Sequence, residues 1–347
     1  MTQRVALFLL TIAVFLIEPS MAFSQTFKIA TLVPENSFWM EAFRKHAAQI
    51  ETQTNKRVRF KLYPGGVMGD DRTVYRKIRS GQLHGAAVTN GSLNRLYPDI
   101  QLYSLIMKFS TLEEVDYIRE KMDVKLMEGL EKTRVVPMGF AEMGFAYLMS
   151  KNNISDLEDL RTNKAWIPED NNVAESAMNA LSIPAIPLTI ADVLVGLQTG
   201  LVDVVAASPV GSLALQWHTQ IHYVVDLPIS YIFGVFILDK KTLQNISVAD
   251  QAIVRKELAQ AMKDIDTKNR QDNISALQAI YNLGIKKVTF NHTAINELNH
   301  SVLAANDQLI SKGKMSSSLV KELNTYLKYY RNLDTPQNLI SQTISKP

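Results

Sequence analysis

The sequence predicts a two-lobed α/β protein with a parallel-rich sheet in each lobe, hinge strands between the lobes and a long helix spanning both. Three observations carry this prediction. Strand and helix patterns alternate from residue 26 onward, and apolar strand-like runs lie where the chain must cross between lobes. An unbroken helical pattern also follows Ser247 for about 35 residues, roughly 50 Å at 1.5 Å per residue.

The elements follow in order. Residues 27–32 read as an apolar strand, and Ser37 opens a helix whose Trp39, Phe43, Ala47 and Ile50 fall on one face. Val58, Phe60 and Leu62 alternate with Arg57, Arg59 and Lys61, the pattern of a strand half-buried against that helix. Asp70 or Asp71 caps the next helix, Gly81 ends it, and 85–89 is a third strand, completing a βαβαβ unit. Thr111 with Glu114 caps a further helix. Residues 135–140 and 145–149 then read as two strands separated by a polar kink at Glu142, where the chain crosses to the second lobe.

In that lobe a helix is predicted at 173–181, followed by the proline-containing strand IPAIP. The stretch PLTIADVLVGLQTGLVDVVAASP, residues 187–209, is the most informative of the chain. Thr189 and Asp192 form a capping box, Val193, Leu194 and Leu197 follow at helical spacing, and Gly200 is the left-handed stop. Residues 201–206 are then a strand, and Ser208-Pro209 is an N-cap with proline at the first helical position. A helix start beside a strand end is where α/β proteins hold small ligands. Residues 231–238 return the chain to the first lobe, Ser247 with Asp250 caps the long helix, and Gly284 stops it. A strand at 286–290 and helices at 293–312 and 317–331 complete the second lobe. The predicted lobes are 25–141 plus 236–283, and 142–235 plus 284–347.

Composition narrows the function classes. The formal net charge is +3 with both signs interspersed, which gives no support for nucleic-acid binding, and Arg76-Lys77-Ile78-Arg79 reads as a solvated helix face. The chain has no cysteine, so neither a disulfide framework nor a lipid anchor through cysteine is expected. Arg4 precedes an uncharged apolar run over 5–17, and Ala22-Phe23-Ser24 offers the small residues of a cleavage site, so 1–24 reads as a secretory signal peptide. About 13 apolar residues fall short of the roughly 20 needed to span a bilayer. A periplasmic location is expected.

Catalytic groupings do not emerge. The six histidines include one i, i+4 pair, His218 and His222, without the glutamate of a zinc protease between them. Gly65-Gly66 lacks the lysine of a phosphate loop. The expectation is a binding protein, not an enzyme, with no cofactor and no metal.

The run DVLVGLQTGLVD, with IPAIP before it and Gln216-Trp217 after it, resembles the periplasmic solute-binding subunits of TRAP transporters, the DctP-type receptors. FKIATLVPENSFWMEAFRKHAAQIETQTNKRVRFKLYPGGVMGDD and RKIRSGQLHGAAVTNGSL resemble other parts of that family, so the resemblance covers residues 26–330. It implies two lobes that close over a small organic solute, and a loaded form that docks on TRAP membrane permease subunits driven by an ion gradient.

One departure bears on the ligand. Most members of the resembled family carry an arginine two residues after the lysine of a G-x-K-x-R-like strand, where it clamps a substrate carboxylate. Here the strand reads Lys164-Ala165-Trp166-Ile167-Pro168, with Trp166 in that place. A second family arginine falls near Ala146 or Tyr147, and the family's asparagine region is Val204 to Ser208. Losing a buried forked cation leaves a bound carboxylate undercompensated by about 2–5 kcal/mol.

The expected pocket is therefore hydrophobic and walled by Trp166. Phe38, Trp39, Phe145, Trp217 and Tyr231 are further apolar candidates, and Asn90, Glu142 and Ser208 are candidate polar contacts. The expected ligand is a moderately hydrophobic solute, or an organic acid held without the clamp. The resemblance extends to a subset encoded with a tetratricopeptide-repeat partner. A ligand sensor or interaction protein using the same fold is the alternative.

Overall fold

A computed structural model describes residues 24–333, so the expected signal peptide lies outside the described residues except for its final Ser24. β1 (Gln25–Thr31) leads to α1 (Phe38–Gln53), which starts where the Ser37 side chain accepts the Met40 amide and which buries Trp39, Phe43 and Ile50. β2 (Val58–Tyr63) pairs parallel with β1, and Phe60 stacks on Phe27. Asp70 caps α2 (Asp71–Arg79), and β3 (Gly85–Thr89) joins the other side of β1, again parallel. The βαβαβ unit is as the pattern predicts. Two 3-10 turns follow, Asn90–Leu93 and Pro98–Ser104, in a segment the sequence pattern left unassigned. α3 (Leu112–Glu131) is capped by Thr111.

β4 (Val135–Ser150) differs from expectation because it is one strand of 16 residues, not two. Register shifts at Pro137/Gly139 and Glu142/Gly144 absorb the kink as bulges, with Gly139 and Gly144 at φ +154° and +95°. The second lobe then runs α4 (Leu157–Arg161), β5 (Ala165–Pro168), α5 (Asn172–Leu181), β6 (Ala185–Leu188), α6 (Val193–Thr199), β7 (Val204–Ala207) and α7 (Pro209–Ala214). Gly200 closes α6 in the left-handed region at φ +72°. Thr189 does not cap α6 directly. It precedes the 3-10 turn Ile190–Asp192, and its hydroxyl bonds the Asp192 carboxylate at 2.7 Å.

β8 (Tyr223–Asp239), 17 residues long, runs antiparallel to β4 through both lobes. The strand order is β2-β1-β3-β8-β4-β7-β5-β6, with β9 (Lys286–Val288) also on β8. Each lobe is thus built on parallel strands, and the β4–β8 ribbon is the hinge that joins them. α8 (Lys240–Gln244) precedes α9 (Val248–Asn282), 35 residues long and capped by Ser247. α9 packs on α1 and β4 in the first lobe and on α7 in the second. It buries Leu258, Met262 and Ile265 in one core and Ile280 in another.

α10 (His292–Ser311) packs on α5 of the second lobe. α11 (Ser317–Leu333) corrects the expected boundary, because it returns to the first lobe and packs on α3. Its Leu319, Leu323 and Leu327 join the core of Leu126 and Leu130, and Arg331 binds the Glu114 carboxylate at 2.6 Å. An amphipathic helix goes where its apolar stripe finds cover, and chain order does not decide that.

A polar clamp ties α1 to α9. His46 Nδ1 lies 2.8 Å from Glu257 Oε2 and Nε2 lies 3.1 Å from Asp264 Oδ2, while Lys45 Nζ bonds the same Asp264 oxygen at 2.9 Å. These donors, Lys45 foremost, hold the Asp264 carboxyl well below the usual aspartate range. A depressed carboxyl adds stability that is present above its unfolded pKa of about 3.9 and is lost as pH falls through the folded value. The difference in melting temperature between the wild type and Asp264→Asn is expected to shrink from about pH 6 to about pH 3. A difference that does not change with pH would contradict this assignment.

Candidate ligand-binding cleft

The carboxyl ends of parallel strands from both lobes converge on one cavity of about 300 Å³ between the lobes. Thr31 ends β1, Thr89 ends β3, Pro168 ends β5 and Ala207 ends β7, and all four line it. This volume suits a small organic molecule. The walls are mainly aliphatic and aromatic, with Val204, Val205 and Val210 from the second lobe facing Val33 and Ala87 from the first.

All three tryptophans of the chain line this cavity: Trp39, Trp166 and Trp217. Trp39 comes from the first turn of α1 and lies over Gly234, where any side chain would meet the indole at 3.5 Å. Trp166 is 6 % exposed, and its Nε1 donates to the Leu188 carbonyl at 3.0 Å. Trp217 meets it edge-on with ring centroids 5.0 Å apart. The two rings brace one another as a wall of the second lobe.

Two of the expected polar residues also line the cavity. Asn90 is 4 % exposed and donates through Nδ2 to Ser104 Oγ at 2.9 Å, which in turn donates to the Tyr231 carbonyl at 3.0 Å. Ser208 accepts the Gly211 amide at 3.2 Å as the cap of α7 while facing the cavity. Asp71 was not singled out as a site residue, yet it lines the cavity, and its Oδ2 accepts the Thr89 amide and hydroxyl at 3.0 and 2.7 Å. Burial raises this carboxyl above its ordinary pKa despite those donors. The sequence signal was the doubled acid Asp70-Asp71, since capping α2 needs only one of them.

Four expected site residues lie elsewhere. Phe145 and Tyr231 stand opposite each other on β4 and β8 with rings 6.0 Å apart, on the ribbon face away from the cavity. Their neighbours Ala146, Ser230 and Ile232 line the cavity, because strand side chains alternate between faces. Phe38 packs on the core beside α1, since adjacent helical positions point about 100° apart.

Glu142, expected as a polar contact, is fully buried in an ion-pair cluster away from the cavity. Its carboxylate binds Arg270 at 2.7 Å, and its backbone N–H donates to Asp266. Arg119 completes the cluster, binding Asp266 at 2.7 Å and Asp123 at 3.1 Å. Burial raises the Glu142, Asp266 and Asp123 carboxyls, with the arginines opposing that rise.

The mouth of the cleft carries direct contacts between lobes. Arg95 Nη2 binds Asp170 Oδ1 at 2.6 Å, the Asn94 side-chain amide donates to the Asp170 carbonyl, and Gln101 Nε2 donates to Asn171 Oδ1 at 3.0 Å. Asp170 holds the left-handed conformation at φ +61°, a cost accepted where these contacts converge.

Among the described residues, no group of His, Cys, Asp and Glu is arranged to hold a metal, and no helix is long and apolar enough to cross a membrane. His218 and His222 each turn a ring nitrogen to a backbone carbonyl, of Ser212 and Lys151.

Residues 29–312 match the DctP family, described as bacterial extracellular solute-binding protein, family 7. The chain is 24% identical to uncharacterized protein YiiZ of Salmonella typhimurium over 59% of its own length and 64% of that relative, less than two thirds of it. Its fold is similar to that of a TRAP periplasmic solute-binding protein from Xanthobacter autotrophicus with bound β-D-galacturonate (TM-score 0.80, 17% identity, 87% of this chain and 99% of that one). It is also similar to the sugar acid binding protein DctPAm from Advenella mimigardefordensis in complex with galactonate (TM-score 0.82, 19% identity, 88% and 98%). With most of its length matching that family and its architecture that of the TRAP periplasmic receptors, the chain belongs to bacterial extracellular solute-binding protein family 7.

Proposed function

We propose that this protein is the periplasmic receptor of a TRAP-type secondary transporter, capturing a small, largely apolar organic solute between its lobes and delivering it to membrane permease subunits. One observation carries the reading of the ligand: three tryptophans wall the cavity. By the resemblance, one of them, Trp166, takes the place of the carboxylate-clamping arginine that most of that family has. The solved relatives hold galacturonate and galactonate, which are polar sugar acids. The cavity here has the opposite character. Trp166 also aligns the chain with the subset of the family encoded beside a tetratricopeptide-repeat protein, which we take as an accessory partner. Binding without bond chemistry is the natural work of such a cleft, because a solute touching both lobes stabilises the closed form.

The test is direct. Added solute at about 100 times its Kd is expected to stabilise the protein by about 2.7 kcal/mol and to be recovered chemically unchanged. Because every tryptophan lines the cavity, the same titration should change the intrinsic emission saturably. Turnover of the solute, or stabilisation with unaltered emission, would oppose this reading.

A further inference from the structure

The charge of the cavity is more specific than its hydrophobicity. Among the described residues, no arginine, lysine or histidine lines it, whereas Asp71 and Glu169 do. Asp71 is held by neutral donors, the amide and hydroxyl of Thr89, and the like charge of Asp70 adds to the burial that raises it. No cation faces it.

Asn90 adds a second acceptor at the same corner, next in sequence to Thr89. Ser104 Oγ has one proton and gives it to the Tyr231 carbonyl, so it must accept from Asn90 Nδ2. That fixes the amide orientation. Asn90 Oδ1 is then left as an acceptor at the cavity wall with no partner among the described residues. Opposite this acceptor corner, Trp166 and Trp217 supply an apolar wall from the other lobe.

We infer that the cleft selects a solute with an apolar body and a neutral or cationic hydrogen-bond-donating head, seated on Asp71 and Asn90, and that it rejects carboxylates. This rests on the receptor reading above and replaces its organic-acid alternative. A carboxylate would add a negative charge beside Asp71 with no countercharge, whereas an ammonium or hydroxyl would satisfy the acceptors already there. Burial holds the Asp71 carboxyl above its ordinary range, as expected of an acid lacking a countercharge. The head would bind one lobe and the body the other, so a solute with both would add to the bonds that already join them.

Two isosteric series test this: 2-phenylethylamine, 2-phenylethanol and phenylacetate, and hexylamine, hexanol and hexanoate, each titrated calorimetrically and by tryptophan emission at neutral pH. In each series the amine and alcohol are expected to bind at least about tenfold more tightly than the carboxylate. Asp71→Asn is expected to lower amine affinity about tenfold while leaving alcohol affinity within about twofold. A purely structural Asp71 would move both equally, and that result would overturn the assignment. Carboxylates binding as tightly as the amines in the wild type would also overturn it, with no variant needed, and would leave the receptor reading standing. Absence of binding by all six would overturn the apolar-solute reading together with this one.

Discussion

Arg270→Met is expected to destabilise the protein by about 3–5 kcal/mol at neutral pH, because it strips the partner from a carboxylate with no access to water. Glu142 is fully buried, and Arg270 grips it through Nε at 3.0 Å and Nη2 at 2.7 Å while also reaching Asp116. The hydrogen bond left to the carboxylate is that of the Tyr231 hydroxyl at 3.3 Å, a single neutral donor, with Arg119 acting on it only through space.

The loss should depend on pH with a defined sign. Glu142 is already raised by burial, and without Arg270 it rises further. A raised carboxyl binds its proton more tightly in the folded state than in the unfolded state, so stability falls as pH climbs from about 4.3 through the folded value. Urea unfolding should therefore show a larger penalty at about pH 8 than at about pH 5. Adding Glu142→Gln to Arg270→Met should recover most of the loss, since the two residues act as one unit. Equal penalties at both pH values would show that Arg270 acts by packing alone.

Trp166→Arg is expected to weaken binding of an apolar solute by about 2–3 kcal/mol, roughly 30- to 150-fold. The change removes the indole that meets Trp217 and the Nε1 bond to Leu188. It also places a guanidinium in a wall with few acceptors. The same variant should gain affinity for carboxylates, because it restores a forked cation at the position where the resembled family has one. Trp166→Phe should lose far less, since a ring still covers the wall. Unchanged affinity in the arginine variant would remove Trp166 from the binding surface.

The alternation of elements, the caps at Ser37, Asp70, Thr111, Ser208 and Ser247, and the long helix were legible in the sequence because each is a local pattern. The single strand β4 was not, since a bulge keeps pairing through a kink that looks like a break in sequence. The destination of α11 was not legible either, because its apolar stripe fits more than one surface. In the cleft, the tryptophans were found by residue type, and the same criterion misplaced Phe145 and Tyr231, whose face is set by strand parity across the ribbon. Glu142 looked like a cleft residue because its partners, Arg270 and Asp266, lie more than 120 positions away. Asp71 was hidden behind the simpler role that its neighbour Asp70 performs.

The bonds from Arg95 and Asn94 to Asp170, and from Gln101 to Asn171, are made by the chain to itself. They act whether or not cargo is aboard. An exposed pair of this kind contributes up to about 1 kcal/mol, enough to enrich the shut form about fivefold. On the proposed function, a receptor so biased would visit the permease while idle, and in scarcity those fruitless visits would compete with productive ones. Loosening the bolt at Arg95 would then lower the shut fraction of the loaded receptor yet relieve that competition when solute is rare.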